Sequence, residues 1–125
     1  MMRVNSVGMP EGSPAGDRFR VDSAGGFVAR GVLGIGIIPQ TGSGERLMWY
    51  PFKGSFRAGG IGSGGTMWDD ANLGFYTWAG GYNTTATGLY SFAMGDGSLA
   101  SNTGAVALGN DVVASGQWAT ALGER

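Results

Sequence analysis

The chain has no cysteine and no histidine. The first absence removes disulfides and thiolate metal sites and leaves the redox compartment open. The second removes the usual general base, the commonest metal ligand and every histidine-containing triad. Charge is scarce, at 14% of residues, against roughly 25% in ordinary globular chains. Seven of the eight basic residues lie at or before Arg57, and the eighth is Arg125. From Ala58 to Glu124 the charges are Asp69, Asp70, Asp96, Asp111 and Glu124. Nothing in that half neutralises phosphate, so no nucleic-acid groove is expected there. No apolar run approaches the ~18 residues of a membrane span, so no direct membrane insertion is expected from this segment. Residues 1–10 lack the apolar stretch of a signal peptide. The last residues break off inside a repeat, so the chain reads as a piece of something larger.

What the chain does have is glycine, 26 of 125 residues, and a phrase that returns. The glycines do not fall at every third position, which excludes collagen. With 42% hydrophobic residues and a net charge of -1, the chain is not a simple disordered linker. Ala107-Leu108-Gly109 returns fourteen residues on as Ala121-Leu122-Gly123. One step back stands Ala93-Met94-Gly95, and one more Ala79-Gly80-Gly81. Ala86, Ala100 and Ala114 form another column. Gly74, Gly88 and Gly116 form a further one, with Asn102 replacing glycine once. Asparagine is the next-best residue for a positive φ.

Three stretches follow in order. Residues 1–16 read as a flexible leader, 17–70 as a β-rich connector or small β subdomain, and 71–125 as repeats. In the connector, Phe19 and Val21 alternate with charged neighbours, Ser23-Ala24-Gly25-Gly26 is a turn signal, and Phe27-Val28-Ala29 can return as a second strand. "GVLGIGIIP" is apolar, but its glycines and Pro39 oppose a helix. "TGSGER" and "GGIGSGG" read as loops on either side of an extended, aromatic "LMWYPFKGSFRAG".

Turn signals fall twice in each repeat. Asp96-Gly97 and Asn110-Asp111 follow one strand, and Thr87-Gly88 and Ser115-Gly116 follow the other. Each repeat is therefore two short strands and two tight turns. Successive coils then stack as parallel strands about 4.8 Å apart. The first strand of each coil is expected at Tyr90–Met94, Gly104–Leu108 and Trp118–Leu122. A coil this short encloses a narrow space. The small residues Ala79, Ala93, Ala107 and Ala121 are expected inside it, met by Leu99 and Val113 from the opposite strand. Phe92, Met94, Val106, Leu108 and Leu122 then face outward. A bare aliphatic stripe is costly, and its simplest cover is another copy of the chain. The competing arrangement is a single-chain solenoid with the stripe packed inside. Thin coils bury little surface alone, which favours self-association.

The stretch "YSFAMGDGSLASNTGAVALGNDVVASGQWATALG" resembles the head repeats of trimeric autotransporter adhesins, of the type in the Yersinia adhesin head. That family repeats a phrase close to Ser-Val-Ala-Ile-Gly. Here it stands as Ser91-Phe92-Ala93-Met94-Gly95, Ala105-Val106-Ala107-Leu108-Gly109 and Ala119-Thr120-Ala121-Leu122-Gly123. The resemblance covers residues 72–125. It implies a left-handed parallel β-roll, a homotrimer with the outward stripe at its interface, and a role in surface attachment. The first coil departs from the phrase, since Gly80 replaces the second aliphatic, and Thr120 is weaker than valine in the last. "ERLMWYPFKGSFRAGG" looks like the connectors that precede such repeats in large bacterial and phage-fibre proteins.

Other motifs point to chemistry only weakly. Gly60-Ile61-Gly62-Ser63-Gly64-Gly65 fits G-x-G-x-x-G, but no helical period follows it, as a dinucleotide loop requires. Asp69 and Asp70 would point to opposite faces of a strand, so a solvated turn is the simpler reading. Gly109-Asn110-Asp111 is faintly like calcium-binding β-roll repeats, whose period and turn residues differ from these. Asn83-Thr84-Thr85 fits a glycosylation sequon, and equally an ordinary polar turn. Tyr76, Tyr90 and Trp118 share a column; they either contact a ligand at the surface or cap the groove between subunits. No catalytic group, cofactor or metal is indicated. The expected function is a non-enzymatic adhesin head at the cell surface, anchored to the outer membrane by other regions, with extracellular-matrix or surface ligands. The alternative is a structural spacer of a phage tail fibre or a similar trimeric fibre.

Overall fold

The structure, a computed structural model, describes residues 18–125 and the backbone of Met2–Val4. These residues are all-β apart from one 3-10 turn at Asp70–Asn72. β1 (Met2–Val4), β2 (Phe19–Val21) and β3 (Phe27–Ala29) form a small antiparallel sheet. Asp22 closes the β2–β3 turn, its carboxylate accepting from the Ala24 and Gly26 amides at 2.9 and 2.8 Å. The rest of the expected leader lies outside the described residues. β4 (Gly44–Tyr50) and β5 (Ser55–Ile61) make a second antiparallel hairpin. Strand character thus reaches into both glycine-rich stretches read as loops.

After a loop over 62–73, the chain begins to coil. The long strands are β6 (Trp78–Tyr82), β8 (Phe92–Asp96), β10 (Val106–Asn110) and β12 (Thr120–Glu124). The short ones are β7 (Thr85–Ala86), β9 (Leu99–Ala100) and β11 (Val113–Ala114). Each set stacks in parallel and in register. Ala93 pairs with Ala107 and Ala107 with Ala121, so the step is fourteen residues; Ala100 pairs with Ala86 and Ala114 on the other wall. The result is a parallel β-solenoid. β5 joins it from below by pairing in parallel with β6, and β4 closes that edge antiparallel. One six-stranded sheet, in the order β12-β10-β8-β6-β5-β4, therefore crosses the compositional boundary near residue 70.

The long strands begin two residues later than the alternation predicts. Tyr90 and Trp118 have φ of 60° and 57°, and Gly104, in the same column, 66°. These are left-handed turn positions, which extended backbone cannot occupy. The glycine that ends each phrase has a double cause. Gly81, Gly95 and Gly109 have φ of 90°, 120° and 140°. A Cβ there would also lie 2.0, 2.0 and 1.7 Å from the carbonyl oxygen of the next coil's glycine. Only glycine meets both conditions.

The lumen is lined by small residues. Ala79, Ala93 and Ala107 of one wall face Ala86, Ala100 and Ala114 of the other, all buried, with Ala121 half-buried beside them. Leu99 and Val113 do not join them: Leu99 is half-buried and Val113 exposed. In these two-residue strands the inward positions go to the alanine that follows and to Ser98 and Val112, which precede. Alternation therefore turns Leu99 and Val113 outward, away from a lumen filled by single methyl groups.

The β5 end of the lumen is plugged by Arg57. It pairs with Ala79, at the foot of the alanine column, and is fully buried. Its Nη1 donates to the carbonyls of Phe56 and Thr77 at 2.8 and 3.2 Å. Its Nη2 donates to Thr77 Oγ1 at 3.0 Å and to the Ala86 carbonyl across the lumen at 3.3 Å. All four acceptors are neutral, and burial lowers its pKa to about 10, so it stays cationic at neutral pH. Beside it lies a second core of Met48, Tyr50, Ile61, Trp68 and Leu73. Trp68 is fully buried and its Nε1 donates to the Thr84 carbonyl at 2.8 Å, tying the 62–73 loop to the roll.

Candidate functional site

The outward side of the six-stranded sheet carries three rows. In the first, Phe92, Val106 and Thr120 stack on successive coils. In the second, Met94, Leu108 and Leu122 do the same. In the third stand Asp96, Asn110 and Glu124. Apolar rows thus occupy one side of the face and polar residues its edge, the distribution of an interface core beside its rim. Phe92, Val106 and Leu108 are half-buried, while Met94 and Leu122 are exposed, Leu122 by 68%.

The rows continue into the coil that departs from the phrase and into the hairpin beneath it. Trp78 pairs with Phe92 and with Phe56, and Phe56 with Trp49. The Phe56 and Trp78 rings meet at 4.7 Å, tilted by 41°. In the second row Met94 pairs with Gly80, then Ala58, then Leu47. The missing side chain at Gly80 is covered by Met94, whose Sδ lies 2.8 Å from where a Cβ would stand. The repeat phrase conceals β5, because Phe56 and Trp78 are 22 residues apart rather than fourteen. Ser55-Phe56-Arg57-Ala58-Gly59 nonetheless keeps the opening small and large residues and the closing glycine of the later phrases, with Arg57 in place of the inward alanine and Ala58 in place of the second aliphatic.

A second surface lies along one corner of the roll. Tyr76, Tyr90 and Trp118 are exposed at left-handed turn positions, with φ of 56°, 60° and 57°. The Tyr76 and Tyr90 rings stack at 5.8 Å, and the Trp118 ring lies over Gly104. The carboxylates near residue 70 are divided between structural partners. Asp69 Oδ1 accepts from the Gly42 amide at 2.6 Å. Asp70 Oδ1 accepts from the Tyr50 hydroxyl at 2.8 Å and faces Lys53 Nζ at 3.4 Å. The Tyr50 hydrogen bond, helped by Lys53 and opposed by burial, holds the Asp70 carboxyl below its ordinary range. Tyr50 itself is pushed up to about 12, first by burial, then by the Asp70 bond and charge. The G-x-G-x-x-G stretch begins inside β5 and leads to a turn, without the helix N-terminus that a pyrophosphate needs. Asn83 of the sequon uses its Oδ1 to hold the Gly62 amide at 2.8 Å, and Thr84 is fully buried.

With this geometry the comparison with known families becomes specific. Residues 74–98 and 86–111 match the YadA head domain repeat. The match supports the resemblance to trimeric autotransporter adhesin head repeats, and the fourteen-residue register of the head repeat runs beyond it to Gly123. No curated protein and no solved structure matches the chain. Adhesin heads with this repeat are surface-exposed and non-enzymatic. Among the described residues no helix is long and apolar enough to cross a membrane.

Proposed function

We propose that the chain is a non-enzymatic adhesin head module that assembles as a homotrimer at the cell surface, anchored to the outer membrane by regions beyond this segment. Phe92, Met94, Val106, Leu108 and Leu122 meet their counterparts at the trimer seam. The roll interior holds Ala79, Ala93, Ala107 and Ala121. The observation that carries this reading is the outward face itself. Its two apolar rows are uncharged through successive coils and partly open to solvent on a single chain, most of all at Met94 and Leu122, in a segment similar to adhesin head repeats. The mechanism is presentation. A stiff stack of coils holds a weakly charged surface out, and three copies multiply weak contacts with extracellular-matrix or surface ligands by avidity. The aromatic corner of Tyr76, Tyr90 and Trp118 lies either against such a ligand or over the groove between subunits. No cofactor or metal enters this mechanism.

Leu108→Asp tests the seam. Three carboxylates brought together at an apolar interface cannot all stay charged and dry. The oligomer should dissociate at micromolar concentration, and an unchanged oligomer would place the seam elsewhere. For adhesion, the multimer should bind members of a matrix-protein panel at least tenfold better than the Leu108→Asp chain. Equal, background binding across the panel would favour the fibre-spacer reading.

A further inference from the structure

We infer that the β4–β5 hairpin belongs to the self-association face, with Leu47, Trp49, Phe56 and Trp78 meeting the same residues of two further copies. The inference rests on the trimer reading and extends it beyond the repeats.

The first support is continuity. β4, β5 and the roll are one sheet, and strand pairing carries both apolar rows from the head repeats onto Leu47 and Trp49 without a change of side. Alternation in β4 is strict. Met48 and Tyr50 are buried in the hairpin's own core, while Leu47 and Trp49 point away from it, Leu47 with 77% of its surface exposed. Trp78, next in the row, is 53% exposed. Nothing in the single chain explains these side chains, because the hairpin core is complete without them.

The second support is charge. Around a threefold axis each residue meets its own copies, so a charge in the central rows would face itself. The hairpin adds none to either row. Its one carboxylate on this side, Glu45, stands in the third row, opposite Gly60 and in line with Asp96 and Glu124. Its side chain folds over Gly60, into space that a Cβ would fill. Core and rim thus run unbroken from β12 to β4. A different protein would not require a face free of self-repulsion, whereas a second and third copy do.

The aromatic rings give this end a role the aliphatic rows cannot. Phe, Met, Val and Leu rows repeat at every coil, so two copies could slide by one rung and still pair apolar with apolar. Among the described residues, tryptophan enters these rows only at Trp49 and Trp78, on either side of Phe56 at the hairpin end. Their bulk fixes the axial register in which the copies meet.

Single cysteines test this cleanly, since the chain has none of its own. Leu47→Cys and Leu108→Cys are treated separately with a short bismaleimide at micromolar concentration. A mixture diluted to nanomolar before treatment reports collisional linking. Both variants should give covalent dimers, and Trp78→Ser in the Leu47→Cys background should reduce linking at least fivefold. Linking of the Leu108→Cys variant without linking of the Leu47→Cys variant would overturn the hairpin's part and leave the trimer reading intact. Failure of both variants to link, with monomers in sedimentation, would remove the trimer reading and this inference with it.

Discussion

Gly95 and Gly123 share a column and nearly the same backbone, with φ of 120° and 116°, but their surroundings differ. A Cβ on Gly95 would lie 2.0 Å from the Gly109 carbonyl oxygen, while one on Gly123 meets nothing within 4 Å. Both alanine variants suffer the backbone strain of a positive φ, about 1–3 kcal/mol. Only Gly95→Ala must also push two coils apart. It should lose about 4 kcal/mol or more, in the range reserved for a broken core, and Gly123→Ala no more than the strain. Urea unfolding at one fixed protein concentration measures the difference. Tyr50 gives a pH signature at the same scale. Its folded pKa, about 12, lies above the ordinary 10.0, so the fold favours the neutral phenol. That stabilisation is complete below pH 10 and is lost as pH rises through 12. Tyr50→Phe should flatten the alkaline fall in stability over that window. At neutral pH it should cost about 1 kcal/mol, the worth of one hydrogen bond.

At the scale of elements, the roll is legible from its phrase because each coil returns the same small residues at the same step. The fourteen-residue register and the alanine lumen follow from that return alone. Two features are hidden by shorter-range physics. The long strands start after Tyr90, Gly104 and Trp118 because those corners turn left-handed, and an aromatic ring in a sequence signals strand rather than corner. The short strands carry one outward residue each, so Leu99 and Val113, the largest side chains there, look like filling in the sequence and are not. β5 escapes the pattern because the 62–73 loop lengthens its step, and because Arg57 stands where the phrase demands alanine. That arginine makes a prediction for the whole element. Its guanidinium bridges both walls, but its long stem also fills the foot of the lumen. Arg57→Ala leaves a cavity, although the Thr77 and Ala86 carbonyls keep the Phe56 and Gly74 amides as donors, and should cost about 2–4 kcal/mol. Arg57→Met fills the space without a buried charge and should stay within about 1 kcal/mol of the parent. Thermal unfolding of both variants decides it: equal losses would mean the hydrogen bonds, not the packing, hold this end.

At the scale of the whole molecule, magnitudes decide where stability comes from. Each lumen alanine contributes one methyl group, about 0.8 kcal/mol on burial. Each large side chain of the outward rows is worth about 1.5–3 kcal/mol when covered. Within the roll, residue for residue, the outward rows therefore have more to gain from being covered than the lumen alanines supply. The large buried side chains of the single chain are those of the Met48, Tyr50, Ile61, Trp68 and Leu73 core. Sedimentation equilibrium of the full chain at micromolar concentration measures whether sister copies cover the outward rows. The mass should be three times 12.8 kDa. A stable, folded species of 12.8 kDa would contradict the assembly, and the outward rows would then need another explanation.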